Sequence, residues 1–167
     1  QFKNFGPRQR LVPTSNNGAM SPRKIFRYAA IAEAVTWTLL LAGMFLKYVT
    51  ETTEMGVRIG GMAHGVVFIA YCLITVVVAI DARWTFKRTA LGLLSAIPPY
   101  FTIWFDVAMD RRGALSRGWR LSTVAPANVL AQLASWLIRK PGQGVAAGLV
   151  AVAGLTAVAL LLGPPVG

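Results

Sequence analysis

Long apolar runs separated by short charged segments divide the chain. The clearest run lies between Arg58 and Asp81, and His64 is the only side chain in it that ionises near neutral pH. As a helix this run is about 33 Å long, enough to cross the roughly 30 Å hydrocarbon core of a bilayer. The pattern therefore predicts a transmembrane helix at about residues 58–80, around which the other elements are interpreted.

A first span precedes this helix at roughly residues 24–48. Ser21 and Pro22 supply an N-cap and a first-turn proline, which are typical of a helix start. Only the short polar segment 50–57 separates the two apolar runs. The first two spans are therefore predicted to be antiparallel neighbours.

A third apolar run extends from Lys87 to about Met109 and is interpreted as a third span. The Pro98-Pro99 pair removes two backbone donors from it, which predicts a kink or a break. In a membrane, such a break requires neighbouring groups or water to satisfy the freed carbonyls.

The C-terminal part predicts two further helices. Residues 125–140 carry apolar side chains at three- and four-residue spacing and a basic end, which is typical of a helix lying in the interface plane. Residues 143–163 are almost wholly apolar and predict a fourth span. Small residues four positions apart indicate faces for close helix packing. These glycines are Gly61, Gly65, Gly144 and Gly148.

The predicted fold is therefore all-α and polytopic. It has a three-helix transmembrane core, an interfacial helix and a fourth transmembrane helix. In chain order the parts are an extended N-terminal arm (1–22), the three-span core (23–109), a basic connector (110–124), the interfacial helix (125–140) and the fourth span (141–167).

The charge balance indicates contact with lipid rather than nucleic acid. The chain has 17 Lys and Arg against 6 acids, a net charge of +11, yet only 14% of residues are charged and 55% are hydrophobic. Because the cations lie at the ends of apolar runs, we expect them to contact anionic headgroups. The predicted headgroup contacts are Arg23, Lys24, Arg27, Arg83, Lys87, Arg88, Arg111 and Arg112.

The same cations bear on orientation. The positive-inside rule predicts cytoplasmic termini from the flank of the first span and the turn before the third. The basic segment 110–140 would then lie outside. Either the early spans dominate and this excess is tolerated, or the Pro98-Pro99 span is re-entrant and returns to the inside; we favour the first interpretation.

Four polar side chains are predicted to form a polar centre in the membrane: Glu33, His64, Tyr71 and Asp106. Ionisable groups at membrane depth usually face a bundle interior or a cavity. Depths estimated from the helix rise pair Glu33 with Tyr71 and His64 with Asp106, and separate Glu33 from His64. Hydrogen bonds that lock helix packing are the favoured interpretation, and a proton or ligand pathway is the alternative.

Little else in the sequence points to a reaction. The single cysteine, Cys72, excludes a disulfide framework, and a lone histidine is a poor metal ligand set. We expect no metal and no cofactor, with haem ligation by His64 as a minor alternative. No nucleophile elbow, phosphate loop or zinc signature is present in the sequence.

The first three apolar runs carry an ordered set of residues: Glu33, Lys47-Tyr48, Arg58, Gly61, His64-Gly65 and Tyr71. In this set the chain resembles the domain of unknown function 3817 (YdzA-like) family of small bacterial integral membrane proteins, over about residues 23–108. The resemblance implies a three-helix membrane module and no established activity. The family usually has Gly where Ala34 stands, and Pro-Phe-Gly where Pro98-Pro99-Tyr100 stands.

Two functions follow as hypotheses. The first is a non-enzymatic accessory subunit of a larger bacterial membrane complex, respiratory or envelope-transport, with other membrane subunits and anionic lipids as partners. The second is a small proton-coupled or channel-like transporter that uses Glu33, His64 and Asp106. For either one we expect a multi-pass plasma-membrane protein with a cytoplasmic N-terminus.

Overall fold

The computed structural model describes residues 20–162, and within that range the chain forms helices and no strand. The helices are α1 (Pro22–Tyr48), α2 (Met55–Asp81), α3 (Phe86–Leu94), α4 (Phe101–Arg111), α5 (Val129–Arg139) and α6 (Pro141–Leu162), with a 3₁₀ turn at Arg120–Ser122. The all-helical membrane architecture is confirmed. The predicted arm, up to residue 19, and residues 163–167 lie outside the described residues.

Side-chain caps explain where three of the helices begin. The Ser21 hydroxyl accepts a hydrogen bond from the Lys24 backbone N–H at 3.4 Å, so the predicted start of α1 is confirmed. Thr85 caps α3 in the same way, and the Asn128 amide oxygen accepts from the Ala131 backbone N–H at 2.8 Å. Each cap satisfies a backbone donor that the first helical turn leaves free.

Within the described residues, α1, α2 and α6 are the helices long and apolar enough to cross a membrane. The predicted third span is instead divided between α3, of 9 residues, and α4, of 11 residues. These helices are only about 14 Å and 16 Å long, so neither crosses a bilayer core by itself.

Helices α3 and α4 form a re-entrant hairpin (residues 86–111). The Tyr71 hydroxyl of α2 donates to the Gly92 carbonyl of α3 at 3.2 Å. Along α4, successive partners on α1 lie progressively nearer the start of α1. These partners are Thr38 beside Tyr100, the Ala30 carbonyl bonded to Thr102, Arg27 bonded to Asp106, and Arg23 bonded to Asp110. The chain therefore turns back at Pro98-Pro99 and leaves on the side from which it entered.

This hairpin overturns our preferred topology. The connector after α4 lies beside the start of α1, because the Trp119 indole donates to the Met20 carbonyl at 2.7 Å. It also lies beside the end of α2, because the Trp84 indole donates to the Ala114 carbonyl at 3.1 Å. We call this side of the molecule the basic end. The basic segment 110–140 therefore lies on the same side as the start of α1 and the turn after α2. This placement agrees with the positive-inside rule, which a crossing third span would have violated.

The predicted break at Pro98-Pro99 is confirmed, and a neighbouring helix satisfies one of the freed carbonyls. The Trp37 indole of α1 donates to the Ala96 carbonyl at 3.2 Å. Tyr100 then starts α4 with a φ of 65°, in the left-handed region that favours glycine. The family that the sequence resembles usually has glycine at this position.

Aromatic packing holds the hairpin against α1 and α2. Phe26, Tyr71, Trp84 and Phe105 are buried together, and the Phe26 and Trp84 rings meet edge to face with centroids 5.9 Å apart. At the opposite end α1 and α2 approach closely, since a Cβ at Gly60 would lie 2.9 Å from the Leu39 carbonyl oxygen.

Helices α5 and α6 pack on the outside of this core. Ala131, Ala134 and Ser135 of α5 are buried, whereas its predicted apolar stripe is largely exposed, with Val129 and Leu130 prominent. No described residue of α6 is buried. Most of the apolar stripe of α5 therefore faces away from the protein, and its location in the interface plane stays a prediction.

Candidate functional site

The central polar group of the molecule is Glu33, on the face of α1 that packs against α2. Its side chain is 0% exposed, and neither carboxylate oxygen has a hydrogen-bond partner among the described residues. The His64 Nδ1 lies 3.8 Å from Oε1, which is longer than a hydrogen bond. This geometry corrects our expectation that Glu33 and His64 are too far apart to interact.

His64 is held by α1 rather than by the hairpin. Its Nδ1 lies 3.4 Å from the Thr36 hydroxyl, and the Trp37 ring packs against the imidazole with centroids 4.4 Å apart. The Phe68 ring of α2 also lies near the imidazole, with centroids 6.2 Å apart. The imidazole is therefore oriented toward Glu33 by packing from both helices.

The close glycine contacts explain why Glu33 and His64 meet. Gly43 packs directly on Gly56, and Leu39 packs on Gly60, so Thr36 comes level with His64. The depth estimate placed both helices by their charged ends and missed this register. The signal in the sequence was the pair Gly56 and Gly60 in the first turns of α2, which permits close approach of the α1 backbone.

The two predicted pairs are wrong. The Tyr71 hydroxyl bonds to the Gly92 carbonyl and to the Ser95 hydroxyl at 3.0 Å, not to Glu33. Asp106 bonds to Arg27, not to His64. Both errors follow from the hairpin, which brings Ser95 to Tyr71 and returns Asp106 to the basic end.

At the basic end, α1 and α4 are joined by an ion-pair cluster. The Arg27 Nε donates to Asp106 at 2.8 Å, and its Nη2 donates to Asp110 at 3.0 Å. The Arg23 Nη2 donates to the same Asp110 oxygen at 2.6 Å. Arg27 and Arg23 remain 40% and 36% exposed beside these ion pairs, and their contacts with lipid headgroups stay a prediction.

A second junction at the basic end centres on Asp81, whose role the sequence did not reveal. This buried carboxylate accepts from the Leu121 backbone N–H at 2.8 Å and from that of Arg120 at 3.2 Å. In return, the Arg120 guanidinium donates to the Asp81 carbonyl at 2.6 Å and to the Ile80 carbonyl at 3.2 Å. The basic connector is therefore fastened to the end of α2.

The glycines predicted to pack helices are only partly those that do so. Gly144 lies directly against the Leu137 backbone at the corner between α5 and α6. A Cβ at Gly61 would meet only Leu40, at 3.8 Å, and one at Gly65 or Gly148 would meet nothing within 4 Å. The predicted Gly61–Gly65 and Gly148 surfaces are thus open within the described chain.

The polar centre has limited chemical equipment. Among residues 20–162, no three His, Cys, Asp or Glu side chains lie together in a group that could hold a metal ion. Our expectations of no metal and no cofactor stay predictions. What Glu33 and His64 offer is a buried carboxylate with no hydrogen-bond partner among the described residues, beside an imidazole.

Comparisons with known proteins place this geometry in context. The model of the family described as Domain of unknown function (DUF3817) matches residues 23–111, from the start of α1 to the end of α4. The chain is also similar to "Putative membrane protein SCO5905" of Streptomyces coelicolor (strain ATCC BAA-471 / A3(2) / M145). The two are 52% identical over 93 residues, which is 55% of this chain and 11% of that protein. No solved structure matches the chain.

Proposed function

The chain belongs to the DUF3817 family, and on that premise we propose that it is a non-enzymatic accessory subunit of a larger bacterial membrane complex, respiratory or envelope-transport, which it stabilises or helps to assemble. The observation that carries this proposal is the relative in which the matching stretch is 11% of a much longer chain. In that protein the matching stretch is joined to a much longer remainder. We infer that the module of the present chain likewise works together with further membrane protein, which in this proposal is supplied by other subunits.

The shape of the module supports a partner within the membrane. Hydrogen bonds from the hairpin extend along α1 only as far as Thr38 and along α2 only as far as Tyr71. Beyond these positions the Gly61–Gly65 surface of α2 has room for another backbone. A transmembrane helix of a partner subunit fits this surface.

We further propose that the protein lies in the plasma membrane with the N-terminus and the basic end in the cytoplasm. The positive-inside rule supports this orientation, because cations from the start of α1, the α2–α3 turn and the connector share one side. Anionic headgroups of that leaflet would be their partners.

Gentle affinity purification from native membranes, followed by mass spectrometry, tests the accessory role. We expect a stoichiometric membrane partner with the wild-type protein and loss of that partner in Gly65→Leu. The matched control is Gly154→Leu, because a Cβ at Gly154 also meets nothing within 4 Å. Recovery of the wild-type chain alone would reject the proposal. Loss of the partner in both variants would reject the Gly61–Gly65 surface as the interface.

A second candidate function is proton-coupled transport, favoured by the buried Glu33 carboxylate beside His64. This pathway would use Glu33 and His64 without the Asp106 that the sequence predicted, because Asp106 is bonded to Arg27. Purified protein in liposomes should then dissipate an imposed pH gradient, and Glu33→Gln should abolish this flux. Equal flux through wild type, Glu33→Gln and empty liposomes would reject this function.

A further inference from the structure

A cavity of about 300 Å³ opens at the basic end, between the last turns of α2, the α2–α3 turn and the start of α5. It is separate from the polar centre at Glu33 and from the ion pairs of α1 with α4. Its lining combines two arginines and the polar side chains of Thr89 and Asn128 with apolar side chains. No function described above uses this cavity.

The two arginines are Arg83 and Arg120. The Arg120 guanidinium is held in place by its bonds to the Ile80 and Asp81 carbonyls, while its other N–H groups have no partner among the described residues. Asp81 partly offsets its charge, since that carboxylate binds the Arg120 backbone N–H. Arg83 has no ion-pair partner in the described chain. The cavity therefore keeps a net positive charge and a pre-oriented set of donors.

An apolar part of the lining extends from the arginines toward the middle of α2. Val76, Ile80 and Leu130 form it. Val76 is about two turns before Arg83 on the same part of the chain, so the apolar wall extends roughly 10 Å deeper than the arginines. The cavity is thus polar at the headgroup level and apolar below it.

The surrounding charge favours an anionic occupant. The cations at this end greatly outnumber the acids Asp81, Asp106 and Asp110, and each of these acids is already bonded to the chain. The cations are Arg23, Lys24, Arg27, Arg83, Lys87, Arg88, Arg111, Arg112, Arg117, Arg120, Arg139 and Lys140. Headgroups of anionic lipids are attracted to such a surface.

We propose that this cavity is a binding site for an anionic phospholipid. Arg83 and Arg120 bind the phosphate of the headgroup, and one acyl chain lies along Val76, Ile80 and Leu130. The match between the polarity of the cavity and that of a phospholipid, together with the excess positive charge, carries the proposal. It does not depend on the accessory role.

Native mass spectrometry of the purified full-length protein tests the site, with dioleoyl-phosphatidylglycerol as the probe and dioleoyl-phosphatidylcholine as the neutral comparison. We expect Arg83→Gln to weaken phosphatidylglycerol binding about tenfold, since a charge-assisted contact is lost. Arg88→Gln is the matched control, because it removes the same charge three residues after the α2–α3 turn without lining the cavity. It should change the Kd less than about twofold.

Ala127→Trp tests the cavity itself, because Ala127 is an exposed lining residue and the substitution blocks the space without changing charge. We expect this variant to lose about as much affinity for phosphatidylglycerol as Arg83→Gln does. Equal effects of Arg83→Gln and Arg88→Gln on the Kd would show that the lipid is held by general charge attraction and not at the cavity, and would overturn the proposal. Phosphatidylcholine bound as tightly as phosphatidylglycerol would also overturn it. So would displacement of the lipid by millimolar inorganic phosphate, which would identify a free-ion site.

Discussion

Buried carboxylates have a charged partner in one region of the molecule and lack a hydrogen-bond partner in another, within the described residues. At the basic end, Asp106 is 3% exposed and bonds to Arg27, which is itself 40% exposed. Near the middle of α1, Glu33 is 0% exposed, and among the described residues the one basic group within 4 Å of its carboxylate is His64, at 3.8 Å. Glu33 lies on α1 and Asp106 on α4, and these two helices pack against each other. Helix packing alone therefore does not account for the difference.

The difference lies in access to water. Arg27 keeps part of its guanidinium solvated at the end of the helix, so the ion pair forms without full desolvation of the cation. No cation can do this beside Glu33 without a much larger cost. Paired acids therefore explain how the hairpin and connector are held, whereas the unpaired acid, Glu33, contributes no such bond within the described residues. Four substitutions test how these regions are held, three at the carboxylates or their partners and one at the tip of the hairpin.

The largest effect is expected from Asp81→Ala. The buried carboxylate binds two backbone N–H groups of the 3₁₀ turn, and its removal leaves both without an acceptor. We expect a loss of about 3 kcal/mol in the free energy of unfolding. Denaturant unfolding in detergent micelles, followed by circular dichroism, measures this loss. Asp81→Asn retains one acceptor and should lose about half as much; an equal loss in both variants would contradict this account.

Arg27→Gln should cost about 2 kcal/mol, because it leaves Asp106 buried without its cation while Arg23 still pairs with Asp110. The estimate is below that for a fully buried pair, since Arg27 is part-exposed. The same unfolding measurement applies. Lys24→Gln on the same turn of α1 is the control and should cost less than about 0.5 kcal/mol. Similar losses in the two variants would show that the ion pair adds nothing specific.

Tyr100→Gly should stabilise the hairpin by about 1 kcal/mol, because it relieves the left-handed backbone at φ 65°. Part of the gain is offset by the lost contact with the Thr38 hydroxyl. Tyr100→Ala retains the strained backbone and loses the same contact, so its sign should be opposite. Thermal unfolding in detergent distinguishes them. Destabilisation by both substitutions would argue against a strained turn at the tip of the hairpin.

The smallest effect on stability is expected from Glu33→Gln, within about 0.5 kcal/mol of wild type or slightly stabilising. No hydrogen bond to either carboxylate oxygen is lost within the described chain, and a group that is costly to ionise is removed. Asp106→Asn, by contrast, should destabilise, since it weakens a charged hydrogen bond. A loss above about 1 kcal/mol in Glu33→Gln would reveal a stabilising ion pair with His64 and end the contrast.

Much of the local structure was predictable. The Ser21-Pro22 start of α1, the break at Pro98-Pro99 and the long helix ending at Asp81 depend on residues close together in sequence. Caps, missing backbone donors and apolar runs act over one or two helical turns. The contacts within the polar centre were not predicted, since the depth estimate separated Glu33 from His64, which lie together, and gave Tyr71 and Asp106 partners other than those they have.

The sequence by itself therefore determined which segments are helical, where they begin and which side chains are costly in a membrane. Tertiary structure decided whether the chain crosses or turns back after Pro98-Pro99. That choice depends on partners distant in sequence, such as Trp37 for the Ala96 carbonyl and Arg27 for Asp106. Once the chain turns back, every residue of α4 changes its depth, because a reversed helix places its charges at the opposite side of the membrane. The pairing of Asp106 with Arg27 follows from that single reversal.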